Sequence, residues 1–121
     1  TLEGGVRVPY LVAWPGRLPA GRTFDHPAIQ LDFAPTALAA AGVAVRPEWN
    51  MEGVNLIPYL TGQNTGRPHD ALYWRFGAQM AVRHGDFKLV RYDTAADGAK
   101  GGVTGPRLYN LATDVGEATD L

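Results

Sequence analysis

Neither cysteine nor serine occurs anywhere in the 121 residues. The missing cysteine excludes disulfides and thiolate metal sites and leaves the redox compartment open. With both absent, no thiol and no serine hydroxyl is available as a nucleophile. Lysine is scarce, at Lys88 and Lys100 only, and the basic residues are scattered along a chain of net charge -1. That balance gives no electrostatic reason to expect a nucleic acid or an anionic membrane as partner. No apolar run approaches the roughly 20 residues of a spanning helix, and no signal-peptide pattern opens the sequence. What remains, 45% hydrophobic and 19% charged residues, is ordinary for a soluble globular protein. A chain of this length folding as one domain would bury about two-thirds of its unfolded surface.

The stretch around which the rest is organised runs from Glu3 to Gly16: Glu-Gly-Gly-Val-Arg-Val-Pro-Tyr-Leu-Val-Ala-Trp-Pro-Gly. Gly4 and Gly5 allow a sharp turn or a close backbone approach. Val8 to Trp14 is a short apolar run bounded by prolines, the signature of a buried strand in a parallel sheet. Such a strand needs neighbours on both sides, and few are present. The chain is therefore expected to be a piece of a larger protein.

Arg17 to Thr23 and Asp25-His26-Pro27 are punctuated as loop. A helix is expected over Phe33–Ala41, with Asp32 as N-cap, Pro35 in the first turn and Gly42 as left-handed stop. A short helical turn follows, with Asn55 as its cap, Leu56, Tyr59 and Leu60 inward, and Gly62 as its stop. After the polar stretch from Gln63 to Asp70 the period becomes alternating, giving strands at 71–76, 79–83, 87–92 and 106–111. A three-residue turn, His84-Gly85-Asp86, would join the second and third. In the third, Phe87, Leu89 and Arg91 share one face, and Lys88, Val90 and Tyr92 the other. The segment from Arg83 to Lys88 reads as hairpin surface. Asp93 to Gly105 reads as a glycine-rich mobile loop.

Five blocks in this order resemble the sulfatases of arylsulfatase type, within the alkaline phosphatase superfamily. They are the Glu3-Gly4-Gly5 segment; Leu31-Asp32-Phe33-Ala34-Pro35-Thr36 with Ala41-Gly42; Glu52 to Gly62; Ala81 to Val90; and Leu108 to Glu117. Phe87, Val115 and Leu2 stand where the family more often has tryptophan, proline and an aromatic. The resemblance implies an α/β protein, α+β in this piece: the end of an alkaline-phosphatase-like sheet (1–62: buried strand, helix, short helix), then a small antiparallel four-stranded C-terminal subdomain (63–121) lacking its final helix.

The resemblance also implies hydrolysis of sulfate esters by a formylglycine, with a calcium ion held by acidic oxygens. Neither would be carried here, because the nucleophile motif, the metal ligands and the family's active-site lysine lie upstream. The piece alone should be inactive, with no catalytic and no metal-binding residue of its own. Its partners would be the N-terminal catalytic part of the same protein and a sulfated small molecule or glycan. Self-association of the fragment would be another way to cover the exposed strand. Glu3, Gly4, Gly5 and Arg7 would border the active site, with a Glu3–Arg7 ion pair fixing the loop. His69, Trp74 and Arg75 are the candidate substrate contacts, and Asp114 and Glu117 would cap the absent helix. Two other readings are a phosphonate or phosphodiester hydrolase of the same superfamily, and a non-catalytic binding module.

Overall fold

The computed structural model describes residues 1–121 except for the side chain of Asp97. It contains two compact units, one made of 1–10 with 70–121 and the other of 11–69. A few short helices precede a four-stranded antiparallel sheet, an α+β arrangement.

In the first unit, a single turn of helix, α1 (Glu3–Val6), precedes the sheet in sequence. The strands are β1 (Ala71–Phe76), β2 (Gln79–His84), β3 (Phe87–Arg91) and β4 (Arg107–Asn110), neighbours in chain order. Both tight hairpins use two-residue loops. Phe76 pairs with Gln79 across Gly77-Ala78, and His84 pairs with Phe87 across Gly85-Asp86. The expected three-residue turn is therefore one residue shorter, because His84 stays in the ladder. Gly77 and Gly85 take φ of 58° and 60°, which sets the strand-matching twist that two-residue turns need at their first central position.

Alternation then sorts the side chains. Ala81, Val90 and Tyr109, joined by Leu111, form the buried core, with Leu2, Trp74 and Tyr92 packed against it. On the opposite face the register aligns Tyr73, Val82, Leu89 and Leu108 across all four strands. Tyr73, Met80, Phe87 and Leu89 are exposed there. The segment after Arg91 is tied down by an Asp93–Val103 bridge and by Thr104, whose N–H and hydroxyl both donate to the Tyr92 carbonyl.

The second unit carries α2 (Phe33–Ala40), entered through a 3-10 turn at Gln30–Asp32, and α3 (Ile57–Leu60). Gly42 ends α2 at φ 73°, and the Val43 N–H reaches back to the Leu38 carbonyl. Asn55 Oδ1 accepts from the Ile57 N–H at the start of α3, as its position predicts. The run from Val8 to Trp14 does not form the expected strand, and Val8, Tyr10, Leu11 and Val12 are exposed. Its apolar character is real, but among the described residues the strands pair only with one another, in the one four-stranded sheet.

The two faces of β3 should answer differently to truncation. Val90→Ala is expected to lower stability by about 2 kcal/mol, because it opens a cavity in the core. Leu89→Ala, on the exposed face, should cost less than about 1 kcal/mol. Urea unfolding of the full-length protein reads the difference, and equal effects would contradict the assigned faces.

Candidate functional site

Two buried polar clusters stand out, one in each unit. In the second unit the centre is Asp32, which is completely buried. Its Oδ2 accepts from the Ile29 N–H and its Oδ1 from the Val54 N–H, each at 2.9 Å. His69 Nε2 lies 2.9 Å from both oxygens. A carboxylate can only accept, so Nε2 carries the proton. Asp32 is the N-cap of α2 by position, as expected, but its side chain makes no bond to that helix and turns back to tie three separate segments together. Thr36 does similar work, accepting from the Leu56 N–H at 2.9 Å. Gly53 is required where this network closes, because a Cβ there would stand 2.0 Å from the Leu31 carbonyl oxygen.

In the first unit the centre is Lys88. Its side chain is completely buried, contrary to the hairpin-surface expectation. The reason is strand parity: Lys88 shares the inner face of β3 with Val90 and stands opposite Tyr109. Two carboxylates meet it. Nζ donates to Glu3 Oε1 at 2.7 Å and lies 2.9 Å from Glu117 Oε1. The second approach lacks hydrogen-bond alignment, so Glu117 Oε1 is buried with charge contact alone. Glu117 Oε2 accepts from the Glu3 backbone N–H at 2.6 Å. The Trp74 ring completes the surroundings, its centroid 5.7 Å from Nζ, within reach of a cation–π attraction.

The expected Glu3–Arg7 pair exists but is the weakest contact of the group, at 3.9 Å with Arg7 more than half exposed. Exposed pairs of that kind contribute little. Glu3 is held by Lys88 instead, a partner 85 residues away that local reading of the Glu-Gly-Gly segment could not supply.

The terminal turn places Glu117. Asp114 accepts from the N–H groups of Ala118 and Thr119, and the Glu117 N–H donates to the Asp114 carbonyl. Glu117 adopts φ 54°, a left-handed conformation that a non-glycine residue takes at a cost of about 1–2 kcal/mol. Asp114 thus holds a turn where the cap of an absent helix was expected, and Glu117 is turned inward to Lys88.

Of the three candidate substrate contacts, His69 is engaged by Asp32 and Trp74 faces Lys88, both half-buried. Arg75 is exposed on β1, its Nε 3.5 Å from the Gly77 carbonyl. His69 lies in the second unit, and Trp74 and Arg75, as neighbours on one strand, point to opposite faces of β1 in the first. Among the described residues no three His, Asp or Glu side chains group as metal ligands. The buried carboxylates Glu3, Asp32 and Glu117 are already engaged by Lys88, His69 and backbone N–H groups. With neither cysteine nor serine in the sequence, these residues fit neither a calcium site nor a formylglycine.

The family described as N-sulphoglucosamine sulphohydrolase, C-terminal, matches residues 1–119. Arylsulfatase G of Rattus norvegicus is 33% identical across the whole chain, which covers 25% of that protein. Arylsulfatase A of Bos taurus is 34% identical, again across the whole chain and 27% of its own length. The crystal structure of Ps i-CgsB in complex with k-i-k-neocarrahexaose superposes on 89% of this chain and 23% of that one, with TM-score 0.69 and 25% identity. The chain thus spans about a quarter of the length of the curated relatives it matches.

Two outcomes follow from the buried clusters. Asp32→Ala leaves two N–H groups and His69 without their acceptor, and should lower stability by about 3 kcal/mol in urea unfolding of the full-length protein. Loss of less than about 1 kcal/mol would mean that Asp32 is not the tie described. The Asp114 carboxyl is held below its ordinary value of 3.8, chiefly by the Thr119 N–H and then by the Ala118 N–H, with desolvation opposing. Its folded value being depressed, its stabilising effect is complete above 3.8 and is lost as pH falls through the lowered value. Melting curves across that acid range should therefore show a weaker pH dependence in Asp114→Asn than in the wild type.

Proposed function

Because the chain belongs to the sulfatase family, as a match to its C-terminal region, we propose that it is the rear part of an enzyme that hydrolyses sulfate esters. The observation that carries this reading is the family match over residues 1–119. It takes in all five ordered sequence blocks, from Glu3-Gly4-Gly5 to Leu108–Glu117. The formylglycine and the calcium ion that the family implies would belong to the remainder of the protein. No step assigned to these residues runs through either group.

Within that enzyme the residues of this chain orient and bind. The α1 turn, with Glu3, Gly4, Gly5 and Arg7, forms part of the border of the active-site cleft. Arg7, at that border, and Arg75 are both exposed and serve as cations for an anionic sulfate ester. His69 and Trp74 act one step removed, by holding Asp32 and by flanking Lys88. A sulfated glycan is the preferred substrate class, since a structural neighbour is solved with an oligosaccharide, k-i-k-neocarrahexaose.

Expression of the full-length protein with its maturation system, followed by assay on 4-nitrophenyl sulfate and the matching phosphate ester, tests the proposal. The full-length protein should turn over the sulfate ester at least 100-fold faster than the phosphate, and the 121-residue piece should turn over neither. A preference for the phosphate ester would move the assignment to a phosphoester hydrolase of the same superfamily. No turnover of either by matured protein would favour a binding role.

A further inference from the structure

Just ahead of the α1 turn the Thr1 hydroxyl donates to Gln79 Oε1 at 2.8 Å. Leu2 packs on the core, Glu3 is buried, and Gly4 and Gly5 are exposed with no atom within 4 Å of where a Cβ would stand. No side chain caps the turn at its start. Two consecutive glycines have the greatest backbone freedom available to a chain, and packing cannot restrain residues that have no side chain. Thr1 and Leu2 anchor the chain just ahead of the turn, and within the turn itself the grip on Glu3 sets its orientation.

That grip comes from two distant places at once. Lys88 of β3 takes the Glu3 carboxylate, and Glu117 of the terminal turn takes the Glu3 backbone N–H while standing 2.9 Å from the same ammonium. The Leu2 contact is non-directional, and one ion pair would add only a single directional contact to it. Side chain and main chain gripped together fix both its place and its orientation. We propose that Lys88 and Glu117 are positioning residues, a buried clasp that holds the Glu3-Gly4-Gly5 turn in the one arrangement in which it can serve the active site. The functional half of this statement rests on the sulfatase reading above, whereas the mechanical half does not.

The full-length protein provides the test through two variants. In the triple variant Glu3→Gln, Lys88→Met, Glu117→Gln every charge of the clasp is removed with little change of shape. Removing all three charges together strands no buried charge without its partner, the change that destabilises most, so the fold should survive. Glu117→Gln alone is milder, since it keeps an acceptor for the Glu3 N–H. Hydrogen exchange of the amides at 4–7 is the first readout, and kcat and KM on 4-nitrophenyl sulfate, per folded enzyme, are the second.

In the triple variant, exchange at 4–7 should quicken at least tenfold, with the amides of β2 and β3 unchanged. Its kcat should fall at least tenfold with KM within about twofold. Glu117→Gln should shift exchange and kcat in the same directions, by at least threefold. A cluster serving only global stability would lower the melting temperature and quicken exchange throughout, leaving kcat per folded molecule intact; that result overturns the proposal. Unchanged exchange at 4–7 in both variants also overturns it, as does faster exchange with unaltered kcat in a working sulfatase. If the wild type turns over no sulfate ester, the sulfatase reading fails by itself, and exchange alone then decides whether the clasp exists.

Discussion

A lysine ammonium with no access to water dictates much of the first unit. Desolvating such a charge costs several kcal/mol, and it is tolerated only where opposite charge is supplied at close range. Lys88 obtains that from Glu3 and Glu117, which lie 85 and 29 positions away in the sequence. The demand fixes three segments together: the α1 turn, β3 and the terminal turn. It also accounts for the left-handed backbone of Glu117, whose strain is offset by contact with the ammonium and with the Glu3 N–H. Removing the lysine alone would strand two buried carboxylates, which is why the neutral triple variant is the gentler perturbation.

The sheet was the part most open to reading from sequence. Alternation in 71–76, 79–83 and 87–92 marks strands without reference to anything distant, and Gly85 marks the turn between the second and third; the ladder then takes in His84 and ends at Arg91. Local rules also located α2, its Gly42 stop and the Asn55 cap, because each of those interactions spans only a few residues. The strand expected at Val8 to Trp14 failed for the complementary reason. An apolar run describes a segment ready to pair, while a strand exists only when a partner ladder is present.

The candidate site was much less legible. The sequence pointed to Glu3, and local spacing suggested Arg7 as its partner, since a residue four positions on is the natural neighbour in a helical turn. The partner it found is Lys88, and only the assembled sheet brings the two together. One clue was present: Lys88 alternates in phase with Val90, so whichever face buried Val90 would bury the lysine. What alternation could not give was which face that is, or where two acids would come from. Asp32 misled in a similar way. It stands in an N-cap position, yet the acceptors needed by Ile29, Val54 and His69 claim its carboxylate.

Charged and apolar contacts divide the work in this unit. Ala81, Val90, Tyr109 and Leu111 supply non-directional burial, which holds the sheet and its surroundings together but tolerates small shifts. A buried ion cluster contributes little net stability, because its attraction mostly repays desolvation. It does impose geometry: at 2.7 Å a hydrogen-bonded charge pair permits one arrangement, and any slippage exposes the full desolvation cost. Gly4 and Gly5 offer no side chains to pack, so the apolar hold near the turn comes from Leu2 on the core. Directional charge contacts on the residue just before them, Glu3, add the fixed orientation that non-directional packing does not give.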